Sequence, residues 1–184
     1  RKEENEMSID IQHLSKTFVP WTSSEHKTIK DVSLSIQEGC IITIVGGNEA
    51  EKTTYLNAIA SNFALDEGTF SVGGHQIKQT ADFERAAYIS RVFQDPMQGT
   101  APRMTVAENL ALANRRGQKR SLFKTSSKEE LQQFETLLAP LGLGLEDRLH
   151  TEIGLLSGGQ RQAISLLMAT MNAPQLLLLD EHTA

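Results

Sequence analysis

The sequence predicts an α/β fold. A parallel sheet forms the core, a small antiparallel sheet flanks it, and a block of helices is inserted before the core resumes. Three observations predict this. Ile41-Ile42-Thr43-Ile44-Val45 and Leu176-Leu177-Leu178-Leu179 are short apolar runs of the kind that form strands buried on both faces. Residues 8–14 and 29–36 alternate polar and apolar side chains, the period of a half-buried strand. Between the two apolar runs, Val106, Asn109, Leu110 and Ala113, and then the amphipathic stretch 128–138, follow helical spacing.

Length and composition bound the reading. The 184 residues suffice for one domain, or one domain with a subdomain, and for a sizeable core. With 22% charged residues and a net charge of −5, nothing suggests a nucleic-acid surface. No apolar run approaches the roughly 20 residues that span a bilayer, and no secretory signal is visible. The chain is therefore expected to be soluble and intracellular. A single cysteine, Cys40, excludes an internal disulfide and is expected as a small buried hydrophobe. No pair among His13, His26, His75, His150 and His182 has metal-ligand spacing. Residues 1–7, mostly charged, read as a tail without function.

In chain order, residues 8–14 form a first strand, followed by Lys16-Thr17-Phe18 and a polar loop. Residues 29–36 return as a second strand, antiparallel to the first. The buried strand 41–45 leads through Gly46-Gly47-Asn48-Glu49-Ala50-Glu51-Lys52-Thr53-Thr54 into a helix whose inner face carries Leu56, Ile59 and Phe63. Strand, turn and strand follow over 70–77 around Gly73-Gly74. Residues 88–94 form an apolar strand ending at Gln94, with a proline-flanked loop behind it. Thr105 and Glu108 have the spacing of a capping box at the head of the next helix. Arg115-Arg116-Gly117-Gln118-Lys119-Arg120 reads as a solvated basic helix end, favourable to the helix dipole. The amphipathic helix 128–138 stops at Pro140.

The densest chemistry lies at Leu156-Ser157-Gly158-Gly159-Gln160. Ser157 with Gln160 three residues on is a capping-box pattern. Free N–H groups at a helix start attract phosphate oxygens, and glycines clear side chains from the approach. The helix that follows carries Ala163, Ile164, Leu167, Met168 and Met171 on one face and stops near Asn172 and Pro174. The strand 175–180 then ends in the acidic pair Asp180-Glu181. Farther upstream, Gly46, Lys52 and Thr53 keep part of the pattern G-x-x-x-x-G-K-[ST], whose backbone wraps phosphates.

Together these motifs resemble those of the ABC ATPases, the motor subunits of ATP-driven transporters, and in particular a bacterial branch of stand-alone importer ATPases. The resemblance covers nearly the whole chain from about Ser8. It implies a P-loop NTPase (RecA-like) core and ATP and Mg²⁺ as ligands. In a site of that kind Glu181 would polarise the attacking water, with Gln94 touching both water and metal. Asp180, Thr53 and Gln94 would serve Mg²⁺. The nucleotide would meet Gly46, Asn48, Lys52, Thr53, Thr54, Ser157, Gly158, Gly159 and Gln160. An aromatic near the end of the first strand would stack on adenine. Phe18 is the candidate, with a core role as its alternative and Trp21 as a nearby competitor. The family implies a membrane permease as partner, a second ATP-binding subunit in a head-to-tail homodimer, a solute-binding protein in some systems, and a place on the cytoplasmic face of the plasma membrane. The expected division is residues 8–95 as β subdomain and P-loop core, 96–157 as helical signature subdomain, and 158–184 as the return to the core. The family's switch histidine would lie past Ala184.

The phosphate loop departs from the family at two positions: Glu49 and Glu51 stand where glycines are expected. Two like charges 4 Å apart repel by about 4 kcal/mol at an effective dielectric of 20, roughly three decades of affinity. The chain as written is therefore expected to bind ATP poorly. The glutamates are either changes to an active parent, which the otherwise kept machinery favours, or the mark of a naturally degenerate member. The alternative to a motor subunit is a catalytically inactive assembly or regulatory module.

Overall fold

The structure, a computed structural model, describes residues 9–18, 26–45, 49–60, 66–77, 82–117 and 127–180. It divides into two compact units, residues up to Ile89 and residues from Ser90 on.

The first unit is built on an antiparallel sheet. Its strands are β1 (Ile9–Phe18), β2 (His26–Ile36), β3 (Glu67–Val72) and β4 (His75–Gln76), in the order β2-β1-β3-β4. Strand β1 is central, pairing with β2 on one edge and β3 on the other. The apolar period slips by one within β1: Ile9 and Ile11 are buried, and the next buried apolar residue is Leu14. The slip is a bulge. His13 and Asp31, facing each other across β1 and β2, both have positive φ, and the register shifts between Ile11 and Leu14. Their side chains pair at 2.6 Å, while Ser33 Oγ accepts from the His13 N–H and Ser15 Oγ from the Asp31 N–H. Thus the alternation expected over 8–14 holds only to Gln12, because an extra residue turns Leu14 back to the buried face.

Helix α1 (Glu49–Ala60) buries Leu56, Ala58 and Ile59; Phe63 lies outside the described residues. The short α2 (Asp82–Arg85) precedes β5.

The run 41–45 departs from expectation. It is not a strand, and Ile41 and Val45 are 95% and 89% exposed. β-branched residues make a segment ready to pair, but only neighbouring strands with unfilled hydrogen-bonding edges convert that readiness into a ladder. Cys40 is likewise exposed rather than buried, because it closes a turn in which its N–H meets the Gln37 carbonyl.

Strand β5 (Ile89–Val92), which belongs to the second unit from Ser90 on, and β6 (Leu176–Leu179) form a two-stranded sheet. Asp180 N–H, just past the end of β6, donates to the carbonyl of Val92, the last residue of β5. Matching C-terminal ends make the pair parallel. Only Leu178 of β6 is fully buried and Leu179 is half exposed, so the strand is less covered than its four leucines suggest.

Helices α3 (Val106–Asn114), α4 (Lys128–Leu138) and α5 (Gly158–Thr170) share one apolar cluster with Leu145, Leu149, Ile153 and Leu156 of the segment between α4 and α5, which also carries 3-10 turns at 139–141, 146–148 and 153–155. Phe134, Leu138, Leu110, Leu145, Ile153 and Ile164 are its fully buried centre. Each such side chain contributes roughly 1.5–3 kcal/mol of transfer free energy.

Candidate nucleotide site

In the first unit the phosphate loop is replaced in part by helix. Helix α1 begins at Glu49, three residues before Lys52. Its first turn holds the good helix formers Glu49, Ala50 and Glu51, with Glu49 and Glu51 standing where the family has glycine, and carboxylates favour that position because it is the positive end of the helix dipole. A helix starting there bonds the amides of Thr53 and Thr54 back to residues 49 and 50. Lys52, Thr53 and Thr54 are half-buried on the helix. Gly46, Asn48 and Trp21 lie outside the described residues, as do the side chains of Phe18, Glu49 and Glu51. Phe18 ends β1, opposite His26.

In the second unit, Ser157 is the N-cap of α5. Its Oγ accepts from the Gln160 N–H at 3.3 Å, and Gln160 Oε1 accepts from the Ser157 N–H at 3.1 Å. The capping box expected from the sequence is complete. Gln160 Nε2 also donates to the Leu143 carbonyl, so this side chain is engaged in holding the helix mouth. Arg161 Nη1 fixes the preceding residue through the Leu156 carbonyl at 2.6 Å. With the Gln160 amide satisfied, the Gly158 and Gly159 N–H groups are the ones left without a helical acceptor. A Cβ added at either glycine would meet nothing within 4 Å. Neither glycine is required by packing, and both leave the mouth bare.

Gln94 is exposed in the turn after β5. The loop behind it is tightly held. Asp95 Oδ1 accepts from the Met97 N–H, and Thr100 Oγ1 donates to the Pro96 carbonyl. Gly99 sits where a Cβ would come within 3.3 Å of both Phe93 and Ser165. Asn109 is the main brace. Its side chain is 1% exposed, its Oδ1 accepts from the Ala101 N–H at 2.8 Å, and its Nδ2 reaches the carbonyls of Ala101, Met104 and Thr105. The far side of the loop is pinned by Ile153 N–H to the Met104 carbonyl and Gly154 N–H to the Pro102 carbonyl. The loop after Gln94 and the approach to Ser157 are therefore stitched together within one unit.

Asp180 closes β6 and is buried. Arg91 Nη2 donates to its Oδ2 at 2.6 Å. Glu181 and His182 lie outside the described residues. The basic stretch is partly spent internally: Arg115 pairs with Glu130, and Arg116 Nη1 donates to Ser90 Oγ. Burial lowers the Arg116 pKa from its ordinary value.

Sequence reasoning missed the roles of Arg91 and of Asn109, which it placed only on the helical spacing of α3. An arginine inside the apolar run 88–93 was the available signal for the first. An asparagine on the inner face of an amphipathic helix was the signal for the second.

A family profile for the ABC transporter matches residues 29–184. The chain belongs to the ABC transporter family. Among its relatives, the tyrosine transport ATP-binding protein of Clostridioides difficile is 40% identical over 96% of this chain and 70% of its own length. The sulfate/thiosulfate import ATP-binding protein CysA of Halalkalibacterium halodurans is 35% identical over 95% of this chain, which spans 45% of that relative. An ATP-binding cassette solved as a dimer in a post-hydrolysis state with ADP and Pi superposes with a TM-score of 0.74 at 24% identity, covering 93% of this chain and 72% of that one. CbiO1 from Clostridium perfringens, part of the ABC transporter complex CbiONQ, gives 0.70 at 18% identity, with 95% and 65% covered. These superpositions establish the fold, the α/β P-loop NTPase fold of ABC ATPases. By family the chain is of the ATP-hydrolysing, transport-energising class. No helix among the described residues is long and apolar enough to cross a membrane.

The donor chemistry fits Mg²⁺. Thr53, Gln94 and Asp180 offer only oxygen ligands, hard donors of the kind this ion prefers. The described residues hold no cluster of three or more His, Cys, Asp or Glu.

Proposed function

We propose that this chain is part of the ATP-binding motor subunit of an importer, energising passage of a small, amino-acid-like solute through a membrane permease, and that Glu49 and Glu51 impair its ATP binding. The observation that carries the reading is the α5 mouth. A complete capping box presents two glycine amides with open space around them, beside a braced loop that follows Gln94. Helix starts of this kind hold phosphate oxygens. The relative named for tyrosine transport supports an amino-acid-like cargo.

In this reading Lys52 neutralises the terminal phosphates of ATP bound in its own subunit. Ser157, Gly158 and Gly159 close over the triphosphate held by a second subunit. Asp180 holds Mg²⁺, which when bound offsets phosphate charge. Glu181 accepts a proton from the attacking water while Gln94 orients that water. Closure of the pair on ATP and reopening after hydrolysis drive the permease from the cytoplasmic face of the membrane. The impairment rests on α1 beginning at Glu49, which places two carboxylates in the turn that should meet phosphate.

The test is ATP turnover by the full-length protein with Glu49→Gly and Glu51→Gly together. Hydrolysis that appears on restoration supports a motor subunit. A restored protein that binds no ATP and stays inactive favours the assembly module.

A further inference from the structure

Strand β5 carries one charged residue, Arg91, and that side chain is only 8% exposed. Arg91 and Phe93 share one face of the strand by its period of two. The guanidinium carbon lies 4.7 Å from the centre of the Phe93 ring, a cation–π contact. Its Nη2 reaches Asp180 Oδ2 at 2.6 Å, with Asp180 itself 12% exposed. Two ions taken out of water persist as a pair only where the geometry is good. Here the strand ends are also locked together, through Asp180 N–H and the Val92 carbonyl.

We infer that Arg91 is a positioning residue that holds the Asp180 carboxylate when no divalent cation is present and competes with that cation for it. The inference rests on Asp180 being the metal-holding carboxylate of the proposed site. The guanidinium commits one carboxylate oxygen, Oδ2, and leaves Oδ1 for the ion. A cation arriving at Oδ1 meets the Arg91 charge across the same carboxylate. Like charges at such separations repel strongly when partly buried. Metal alone is therefore held weakly, and the ion is retained together with the phosphates that add negative charge. Arg91 also places this control two residues from Phe93 and three from Gln94, at the strand end from which the glutamine loop departs.

The experiment measures binding of Mn²⁺ alone by the loss of its free electron paramagnetic resonance signal, on the wild-type chain and on Arg91→Met, Arg91→Lys and Asp180→Asn. Asp180→Asn is expected to remove one class of Mn²⁺ site. Arg91→Met is expected to tighten that Asp180-dependent site about tenfold, the effect of removing one nearby positive charge screened in part by solvent. Arg91→Lys keeps the charge and is expected to tighten the site less than Arg91→Met does. A purely structural role predicts the opposite sign, since a loosened strand end binds less metal. Asp180-dependent binding that is unchanged or weaker in folded Arg91→Met overturns the competition alone. Binding indifferent to Asp180→Asn overturns the metal assignment, and the competition with it. Should Arg91→Met not fold, Mg²⁺ titration of the wild-type chain decides by NMR. The Arg91 Nε–H resonance must shift with the midpoint of metal binding, and a resonance indifferent to Mg²⁺ overturns the proposal.

Discussion

Single residues separate packing from function most sharply at the α5 mouth. Gly158 and Gly159 have room for a Cβ and no positive φ. Alanine at either position should leave stability unchanged or raise it, by up to about 1 kcal/mol, because glycine is the poorer helix former. The same substitutions should depress ATP turnover in a full-length protein with Glu49 and Glu51 restored to glycine. Thermal melts and turnover measured side by side check this, and a stability loss would show that the glycines serve packing. Asn109 is the converse case. Asn109→Ala leaves the part-buried Ala101 N–H without its acceptor and should cost about 1–3 kcal/mol, read as a lowered denaturant midpoint. Neither Arg91 nor Asn109 was legible in advance as a bonded group. The Arg91 partner lies 89 residues away in sequence, and the carbonyls around Asn109 converge only once the loop has folded back.

Elements whose signals are local were legible. The capping boxes Thr105/Glu108 and Ser157/Gln160 both formed as their spacing indicates. Helix α4 spans Lys128–Leu138, with Pro140 just beyond it. Elements that depend on distant partners were not. The run 41–45 has strand composition, yet the ladder that would bury it is not set by its own residues. The bulge at His13 and Asp31 needs both strands at once. The Glu108 carboxylate accepts from the Thr105 backbone and hydroxyl, which holds its pKa below the ordinary glutamate value. A depressed folded-state pKa means that this contribution is present above the unfolded pKa and is lost as pH falls through the folded one. First-turn amides of α3 should therefore lose hydrogen-exchange protection as pH drops below about 4, relative to Glu108→Gln, where the ionic component is already gone.

At the scale of the whole chain, the two units carry different halves of one chemistry. The unit from Ser90 on keeps its mouth, its braced loop and its buried carboxylate in order. The unit up to Ile89 keeps Lys52 and Thr53 but begins its helix on two carboxylates. The fold and the family were legible because both follow from motifs that survive intact. In the proposed reading, the activity of this chain turns on Glu49 and Glu51, which change the charge at one helix start. ATP binding, measured by titration on this chain and on its Glu49→Gly/Glu51→Gly variant, tests that most directly. The account predicts weak or undetectable binding as written and a gain of at least about a hundredfold in the variant. Tight binding by the unaltered chain, with no gain on restoring the glycines, would contradict it.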